Sequence, residues 1–158
     1  MNKPAVLEKI LHQLRAELVL FTATAQATHA EATHEENKAE DKYDTRGLEA
    51  SYLAMGQLKQ AEETRLAVQT FEALPARAFG PDDTISLGAL VVLEGQGRNC
   101  YLIGPRAGGT EVKVNGQMVL VITPQSPLGR QLMGRKQGDN LQLDLGGKSS
   151  PVRIVSVA

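Results

Sequence analysis

Apolar residues in the first part of the chain recur at the spacing of a coiled-coil helix. The steps between them alternate four and three, through Leu7, Leu11, Leu14, Leu18, Phe21 and Ala25. This spacing places one apolar stripe along one face of a helix. Pro4 is a favourable first helical residue. The pattern therefore predicts a helix that begins near Pro4 and loses its stripe after Ala25.

A second, less regular stripe predicts a second helix, from about Lys38 or later to about Leu74. Its apolar members are Leu48, Tyr52, Met55, Leu58, Leu66 and Phe71. Two helices of about 30 residues joined by a short polar stretch would form an antiparallel hairpin about 45–50 Å long. No third or fourth helix is available for a bundle, so we expect a hairpin that stands alone or is completed by dimerisation.

Strand and turn signals replace the helical pattern after residue 74. Of the 15 glycines, only Gly47 and Gly56 precede this point, and six of the seven prolines follow it. Asn115-Gly116 and Gly146-Gly147 are typical of tight hairpin turns. The predicted strands are Ala89–Glu94, Cys100–Ile103, Glu111–Val114, Gln117–Thr123, Asn140–Leu145 and Val152–Val157.

One short helix interrupts these strands. Ser126 is a natural N-cap, Pro127 suits the first helical position, and the predicted helix Leu128–Met133 stops at Gly134. The fold class is therefore α+β. We expect a coiled-coil hairpin over residues 1–74, a linker over 75–83 and a small antiparallel sheet with one helix over 84–158.

The charges divide at the same place. The formal net charge is −1, but residues 1–74 carry eight basic and twelve acidic side chains, and residues 75–158 carry nine and six. Read alone, the near-neutral sum argues against a nucleic-acid coat protein and a polybasic membrane binder, and the split indicates two units. One cysteine excludes an intramolecular disulfide, and no apolar run approaches about 18 residues. We therefore expect a cytoplasmic protein without a membrane partner.

Six carboxylates cluster where the apolar stripe of the first helix ends. Residues 31–44 contain Glu31, Glu35, Glu36, Glu40, Asp41 and Asp44, against two lysines. One interpretation is a solvated turn whose acids favour the start of the second helix. The other is a carboxylate cluster, supported by Tyr43 and Arg46, that shares Mg²⁺ with a partner, because carboxylate oxygens are its preferred protein ligands.

Other kinds of site find little support in the sequence. His29 and His34 are five residues apart, which does not place two ligands on one helical face, and Cys100 lies in an apolar strand. No Ser/His/Asp arrangement or phosphate-binding loop is present. We therefore expect no intrinsic catalytic residue, no stably bound metal and no cofactor of its own.

The segment 126–139 resembles the C-terminal signature of the Gre family of bacterial transcription elongation factors. In that family a Ser-Pro-hydrophobic-Gly/Ala-Arg/Lys helix is followed by Gly-Lys-Lys-x-Gly-Asp and two final strands, and here the chain reads Ser-Pro-Leu-Gly-Arg and then Gly-Arg-Lys-Gln-Gly-Asp. The resemblance implies an FKBP-like domain that docks on RNA polymerase. The implied docking residues are Ser126, Pro127, Leu128, Arg130, Arg135 and Lys136.

The resemblance also implies a role for the hairpin. It would enter the secondary channel of RNA polymerase, where the acids Glu35, Glu36, Glu40, Asp41 and Asp44 would help the polymerase hold a second Mg²⁺ and cleave backtracked RNA. Nascent RNA and DNA would be met only through the polymerase complex. With Tyr43 as anchor, Glu36 falls where the family has its tip Asp and Ala39 where it has its tip Glu; matching Glu36-Asn37 to the family's Glu-Asn instead loses the Tyr. No register keeps both acids and the Tyr, so an inhibitor that occupies the channel without cleavage is the alternative.

Two other hypotheses come from the residues themselves. An FKBP-like sheet could be a prolyl isomerase or chaperone, but residues 75–158 offer only Phe79 and Tyr101 to line an apolar pocket. A coiled-coil adaptor that forms an obligate dimer through the hairpin seam is the second. We expect a monomer, with a dimer as the alternative.

Overall fold

The computed structural model describes residues 2–33 and 46–158, and its two long helices lie at the start of the chain. Helix α1 spans Lys3–Thr33 and helix α2 spans Arg46–Glu72. The chain divides into two compact units, one of Gln13–Val68 and one of Met1–His12 with Gln69–Ala158. No helix within the described ranges is both long and apolar enough to cross a bilayer.

The strands form one six-stranded sheet. They are β1 Leu90–Glu94, β2 Arg98–Ile103, β3 Glu111–Val114, β4 Gln117–Ile122, β5 Asn140–Leu145 and β6 Lys148–Val157, and helix α3 spans Pro127–Leu132. The order across the sheet is β3-β4-β2-β1-β6-β5. Strands β2 and β4 pair in parallel and the other four pairs are antiparallel. The α+β fold class is confirmed, but the sheet is mixed, because β4 returns between β2 and β3.

The turn chemistry behaves as the sequence predicts. Asn115 and Gly116 both have positive φ angles, 51° and 82°, as the two central residues of a type I′ turn require. They join β3 to β4 with Val114 opposite Gln117. The β5–β6 turn uses Gly146 and Gly147, also with positive φ. The observed β3 and β5 have the predicted bounds.

One face of the sheet packs against α3. The buried cluster on this face combines apolar residues of five strands, all but β3, with the inner side of the short helix. Its fully buried members include Val91, Ile103, Leu132 and Ile154. Alternate residues of β1, β2 and β4, such as Leu102 and Val119, are equally buried on the other face.

The ends of the long helices that belong to the sheet unit contribute to its core. Val6 and Ile10 of α1 are fully buried, and Phe71 of α2 is 3% exposed. The ring of Phe71 approaches Gly104 so closely that a Cβ at this glycine would lie 2.8 Å from Cζ and 2.7 Å from Cγ1 of Val121. A side chain at position 104 would therefore displace the ring.

The α2 stripe is the main expectation that the structure overturns. Leu48, Tyr52, Met55 and Leu58 are exposed by 49% or more, and Leu66 is half-buried. The buried positions of α2 within the hairpin are instead Ala54, Ala61, Ala67 and Val68. On α1 the predicted stripe holds better, with Leu14 and Ala25 buried and its other members partly buried.

The physical reason is the size of the seam residues. Ala25 of α1 and Ala54 and Ala61 of α2 are 0%, 2% and 7% exposed. Ala54 and Ala61 are one heptad apart, so they occupy equivalent positions on one face of α2. The buried face of α2 is thus made of small side chains. The larger residues of α2 therefore lie outside the seam, whereas the sequence stripe was built from the larger residues.

Candidate functional site

The segment around α3 forms a defined surface, which we call the docking segment and define as residues 123–139. Ser126 has extended backbone angles and caps α3: its hydroxyl accepts a hydrogen bond from Gly129 N at 3.0 Å and donates one to Thr123 O at 2.8 Å. Pro127 occupies the first helical position. The predicted helix is thus confirmed, one residue earlier at each end.

Gly129 is required by a close backbone approach. A Cβ at this position would lie 1.9 Å from Thr123 O, far inside van der Waals contact. Leu128 and Leu132 beside it are buried in the core under the sheet. The turn before α3 therefore packs directly against the helix backbone, and the buried leucines fix the helix against the sheet.

The structure separates the predicted docking residues into two groups. The hydroxyl of Ser126 is engaged in the helix cap, and Leu128 is 7% exposed. Both residues therefore hold the backbone of the segment in place and are not available to contact a partner. Pro127, Arg130, Arg135 and Lys136 are exposed. Arg130 is held by a hydrogen bond from Nε to Gln125 O at 2.8 Å.

The turn that carries Arg135 and Lys136 is held by backbone and carboxylate hydrogen bonds. Ile85 N donates to Arg135 O at 2.7 Å, and Gly134 N donates to Ile85 O at 2.9 Å. Asp139 closes the turn by accepting from Lys136 N at 2.9 Å. Both basic side chains therefore project from a rigid backbone, which is the arrangement that an acidic partner surface can recognise.

A cation–aromatic cluster that no sequence pattern indicates lies in the segment predicted to be a linker. Phe79 is 8% exposed, with Lys3 Nζ at 4.6 Å and Arg77 Cζ at 4.9 Å from its ring centroid. Lys3 Nζ donates to Arg77 O, and to Ala158 O at 3.3 Å. These partners are 74 and 155 residues away in sequence, so no local pattern predicts them.

Burial and charge perturb two ionisable groups around this cluster. The pKa of Lys3 lies below its ordinary value, chiefly because burial disfavours the ammonium form and secondarily because Arg77 is near. The pKa of the Asp83 carboxyl is lowered, first by the hydrogen bond from Gly80 N and then by the charges of Arg77 and Lys136. Asp83 also forms an ion pair with Arg77 at 2.9 Å.

The acidic tip lies outside the described residues. This applies to Glu35, Glu36, Glu40, Asp41, Tyr43 and Asp44, whose predicted roles stay predictions. Arg46 is described as the exposed first residue of α2, and Glu31 lies in the last turns of α1. Across residues 2–33 and 46–158, His, Cys, Asp and Glu side chains form no group of three that could hold a metal ion.

A cleft in the sheet unit bears on the isomerase hypothesis. It has a volume of about 290 Å³, and its lining includes the apolar side chains of Leu93, Tyr101, Leu143 and Val152 and the polar ones of Asn99 and Lys148. Tyr101 is its single aromatic residue, and burial raises the pKa of the Tyr101 hydroxyl. Phe79, the other candidate, has both cations on its ring. Cys100 is buried, as expected of a core thiol.

Comparison with known proteins identifies the C-terminal half. Residues 80–158 match the family model described as "Transcription elongation factor, GreA/GreB, C-term". No curated protein matches the chain.

Solved structures of the same kind resemble the chain. GreA factor homolog 1 (Gfh1) of Thermus thermophilus is 23% identical, with 94% of each chain covered and a TM-score of 0.39. Thermus aquaticus Gfh1 is 24% identical, with 95% of this chain and 94% of that chain covered and a TM-score of 0.40. The GreA/GreB factor of Nitrosomonas europaea is 24% identical over 70% of this chain and 93% of that chain, with a TM-score of 0.36.

Proposed function

Because the chain belongs to the GreA/GreB family of transcription elongation factors, we propose that it binds bacterial RNA polymerase and modulates elongation from within the secondary channel. The match over residues 80–158 is the observation that carries this proposal. The chain would act in the cytoplasm as a regulator, and the phosphodiester chemistry would belong to the polymerase. RNA and DNA would be met only inside that complex.

The two long helices supply the reach that the proposal needs. Helix α1 has 31 residues and α2 has 27, so they measure about 46 and 40 Å at 1.5 Å per residue. The segment between them, residues 34–45, carries five of the predicted acids: Glu35, Glu36, Glu40, Asp41 and Asp44. A narrow helical pair is therefore suited to carry carboxylates into a channel that a globular domain cannot enter.

The donor chemistry of the tip fits Mg²⁺. Carboxylate oxygens are hard ligands, and one or two of them bind Mg²⁺ when phosphate oxygens complete the octahedron. Bound with the polymerase, the ion would stabilise charge in the displacement that cleaves RNA. The role proposed for this chain is to supply those carboxylates, with Tyr43 and Arg46 supporting the tip.

The docking segment would contact the polymerase outside the channel. Its exposed cations Arg130, Arg135 and Lys136 stand on a backbone fixed by Ser126, Gly129 and Asp139. A rigid cationic surface gains orientation and association rate from an acidic partner. We expect R130E/R135E/K136E to weaken polymerase binding about tenfold or more in a fluorescence-anisotropy titration.

Arg98 and Lys113 provide the matched control for that experiment. They are exposed cations on β2 and β3, outside the docking segment. The variant R98E/K113E should bind within about twofold of the wild type at the same salt concentration. Equal weakening by both variants would show that general charge, and not the docking segment, determines the affinity.

An assay on a backtracked elongation complex tests the proposed activity. We expect the chain to shorten the 3′ end of the RNA, and E36A/D41A to abolish the shortening while still co-purifying with polymerase. The control E8A/E63A removes two exposed acids from the helices and should leave cleavage unchanged.

The alternative outcome of that assay has a basis in the sequence. With Tyr43 as anchor, Ala39 occupies the place of the family's tip Glu, which favours a channel inhibitor as the second candidate. Slower RNA synthesis without shortening would identify the inhibitor. Failure to co-purify with polymerase would contradict both. Turnover of a prolyl peptide above the uncatalysed rate would instead support the isomerase hypothesis, which the cleft with one aromatic residue does not favour.

A further inference from the structure

Large apolar side chains lie on the outer face of α2. Leu48, Tyr52 and Met55 are 55%, 65% and 64% exposed, and Leu58 beside them is 49% exposed. At 100° per residue the first three fall within about 60° of each other, and roughly opposite the buried Ala54 and Ala61. We call these three residues, together with Leu58 at their margin about 40° from Ala54, the outer stripe. The hairpin seam therefore uses one face of α2 and leaves a more apolar one uncovered.

The spacing of the outer stripe is that of a coiled-coil seam. The steps from Leu48 to Tyr52 and from Tyr52 to Met55 are four and three, which place them at successive d, a and d heptad positions. Leu58 then falls at the adjacent g position, where it widens the apolar contact. The next a position is occupied by Lys59, which ends the apolar pattern. The outer stripe is therefore about three helical turns long.

We propose that the outer stripe is the interface of an antiparallel homodimer, in which α2 of one copy packs against α2 of a second copy. A two-fold interface must be complementary to itself. In the antiparallel register that places Tyr52 opposite Met55 of the second copy, Met55 also meets Tyr52, which gives two Met–aromatic contacts. Each Leu48 then faces the aliphatic stem of the other copy's Lys59.

The charges agree with this register. The ammonium of Lys59 would lie beside Glu49 of the second copy, so opposite charges meet at both ends of the stripe. The flanking positions pair Glu49 with Gly56 and Ser51 with Leu58, and no like charges oppose each other between residues 48 and 59. A parallel pairing would instead place Lys59 against Lys59, which is unfavourable at an a position.

Sedimentation equilibrium of the full chain tests the dimer. Between about 1 and about 500 µM we expect the average mass to rise from 17.0 kDa toward twice that value, as a micromolar dissociation constant requires. M55E should raise the dissociation constant at least tenfold, because each dimer would then hold two carboxylates against tyrosine rings. A constant mass of 17.0 kDa over this range would overturn the proposal.

Leu53 provides the matched control. It is 57% exposed on the same helix but outside the stripe. L53E should dimerise like the wild type, and both variants should keep the wild-type helical circular dichroism because both side chains are exposed. If L53E and M55E raised the dissociation constant of the dimer equally, the proposal would also be overturned.

Cysteine cross-linking tests the register independently. In a Cys100→Ser background, Y52C and M55C are mixed in equal amounts and oxidised. The antiparallel register predicts that 52–55 heterodimers exceed both homodimers, because each thiol lies opposite the other position. Predominant 52–52 and 55–55 homodimers would show a parallel pairing and contradict the register.

A regulatory consequence rests on the proposed function. The outer stripe lies on the hairpin proposed to enter the polymerase channel, so the dimer and the polymerase complex would exclude each other. Wild-type binding to polymerase should then fall below a single-site curve at concentrations where it dimerises, whereas M55E should follow a single-site curve with its own affinity over the same range. If neither protein binds polymerase, the proposed function is contradicted and the dimer proposal is unaffected. If the wild type binds polymerase but stays monomeric, the dimer proposal is contradicted and the proposed function is unaffected.

Discussion

Single backbone positions determine whether the docking segment can form. At Gly129 a Cβ would lie 1.9 Å from Thr123 O and 2.9 Å from Ser126 Oγ, so even alanine must push the turn away from α3. We expect G129A to lower the free energy of unfolding by about 3 kcal/mol, as overpacking against backbone does. Urea denaturation followed by circular dichroism measures the change.

Gly56 is the matched control for that substitution. It lies within α2, and beyond its own turn of helix a Cβ at this position would have no described heavy atom within 4 Å. G56A should therefore raise the free energy of unfolding by about 0.5–1 kcal/mol, because alanine has the higher helix propensity. The contrary result would be that G129A lowers the free energy of unfolding no more than an ordinary surface substitution does. That result would show that the turn at Thr123 moves away from α3 at little energetic cost.

Lys3 should give the protein a measurable pH dependence. Its pKa in the folded protein is below the ordinary value of 10.5, mainly because of burial. In the window between the two values the unfolded chain binds more protons, so the stability of the folded protein rises with pH. We expect the stability difference between wild type and K3M to shift in favour of wild type as pH approaches 10.5.

Urea titrations of both proteins at several pH values measure that difference. Comparison with K3M removes the contribution of every other titrating group. A difference that stays constant across the window would indicate that Lys3 keeps its ordinary pKa when folded. A difference that shifts in favour of K3M would indicate a raised pKa, as expected if the Phe79 ring stabilised the ammonium more than burial disfavours it.

Among the elements, α2 shows what a hydrophobic pattern can and cannot predict. The period of a stripe locates a helix, and α2 does form over most of the predicted range. Which face becomes buried depends on the partner, and here the small Ala54 and Ala61 are buried while Tyr52 and Met55 are not. By contrast β3 and β5 were predicted with their observed bounds, because turn residues such as Asn115 and Gly116 delimit them locally.

Gln57 places a polar group in the same seam. Its Oε1 is buried and has no hydrogen-bond partner among residues 2–33 and 46–158, and Ala54 and Ala61 lie three and four residues away on the same face. An unsatisfied buried acceptor destabilises a structure by about 1–3 kcal/mol. We expect Q57L to raise the midpoint of thermal unfolding of the full chain, measured by helical circular dichroism.

Gln60 provides the comparison, because it is an exposed glutamine on the same helix. Q60L should leave the unfolding midpoint nearly unchanged. If Q57L gave no increase over Q60L, Gln57 would have to be solvated or bonded in solution. A lower midpoint for Q57L would mean that the alanine seam has no room for a branched side chain.

For the whole molecule, the division of charge acquires a structural meaning. The net charge of −1 conceals an acidic helical part and a more basic sheet part. The exposed cations of the docking segment stand on the sheet unit, and most of the predicted tip acids lie between α1 and α2. The fold class followed from pattern and resemblance. The Lys3–Phe79 cluster could not be predicted from the sequence, because it joins residues that are far apart in the chain.

The most direct test of the central claim is to locate the tip within the polymerase complex. Fe²⁺ substituted for the catalytic Mg²⁺ of polymerase generates hydroxyl radicals that cut only nearby chains. The proposed function predicts that the protein, end-labelled and bound to polymerase, is cut within residues 34–45. Cuts confined to residues 84–158, or no cuts in a complex shown to be intact, would contradict the insertion of the hairpin into the channel.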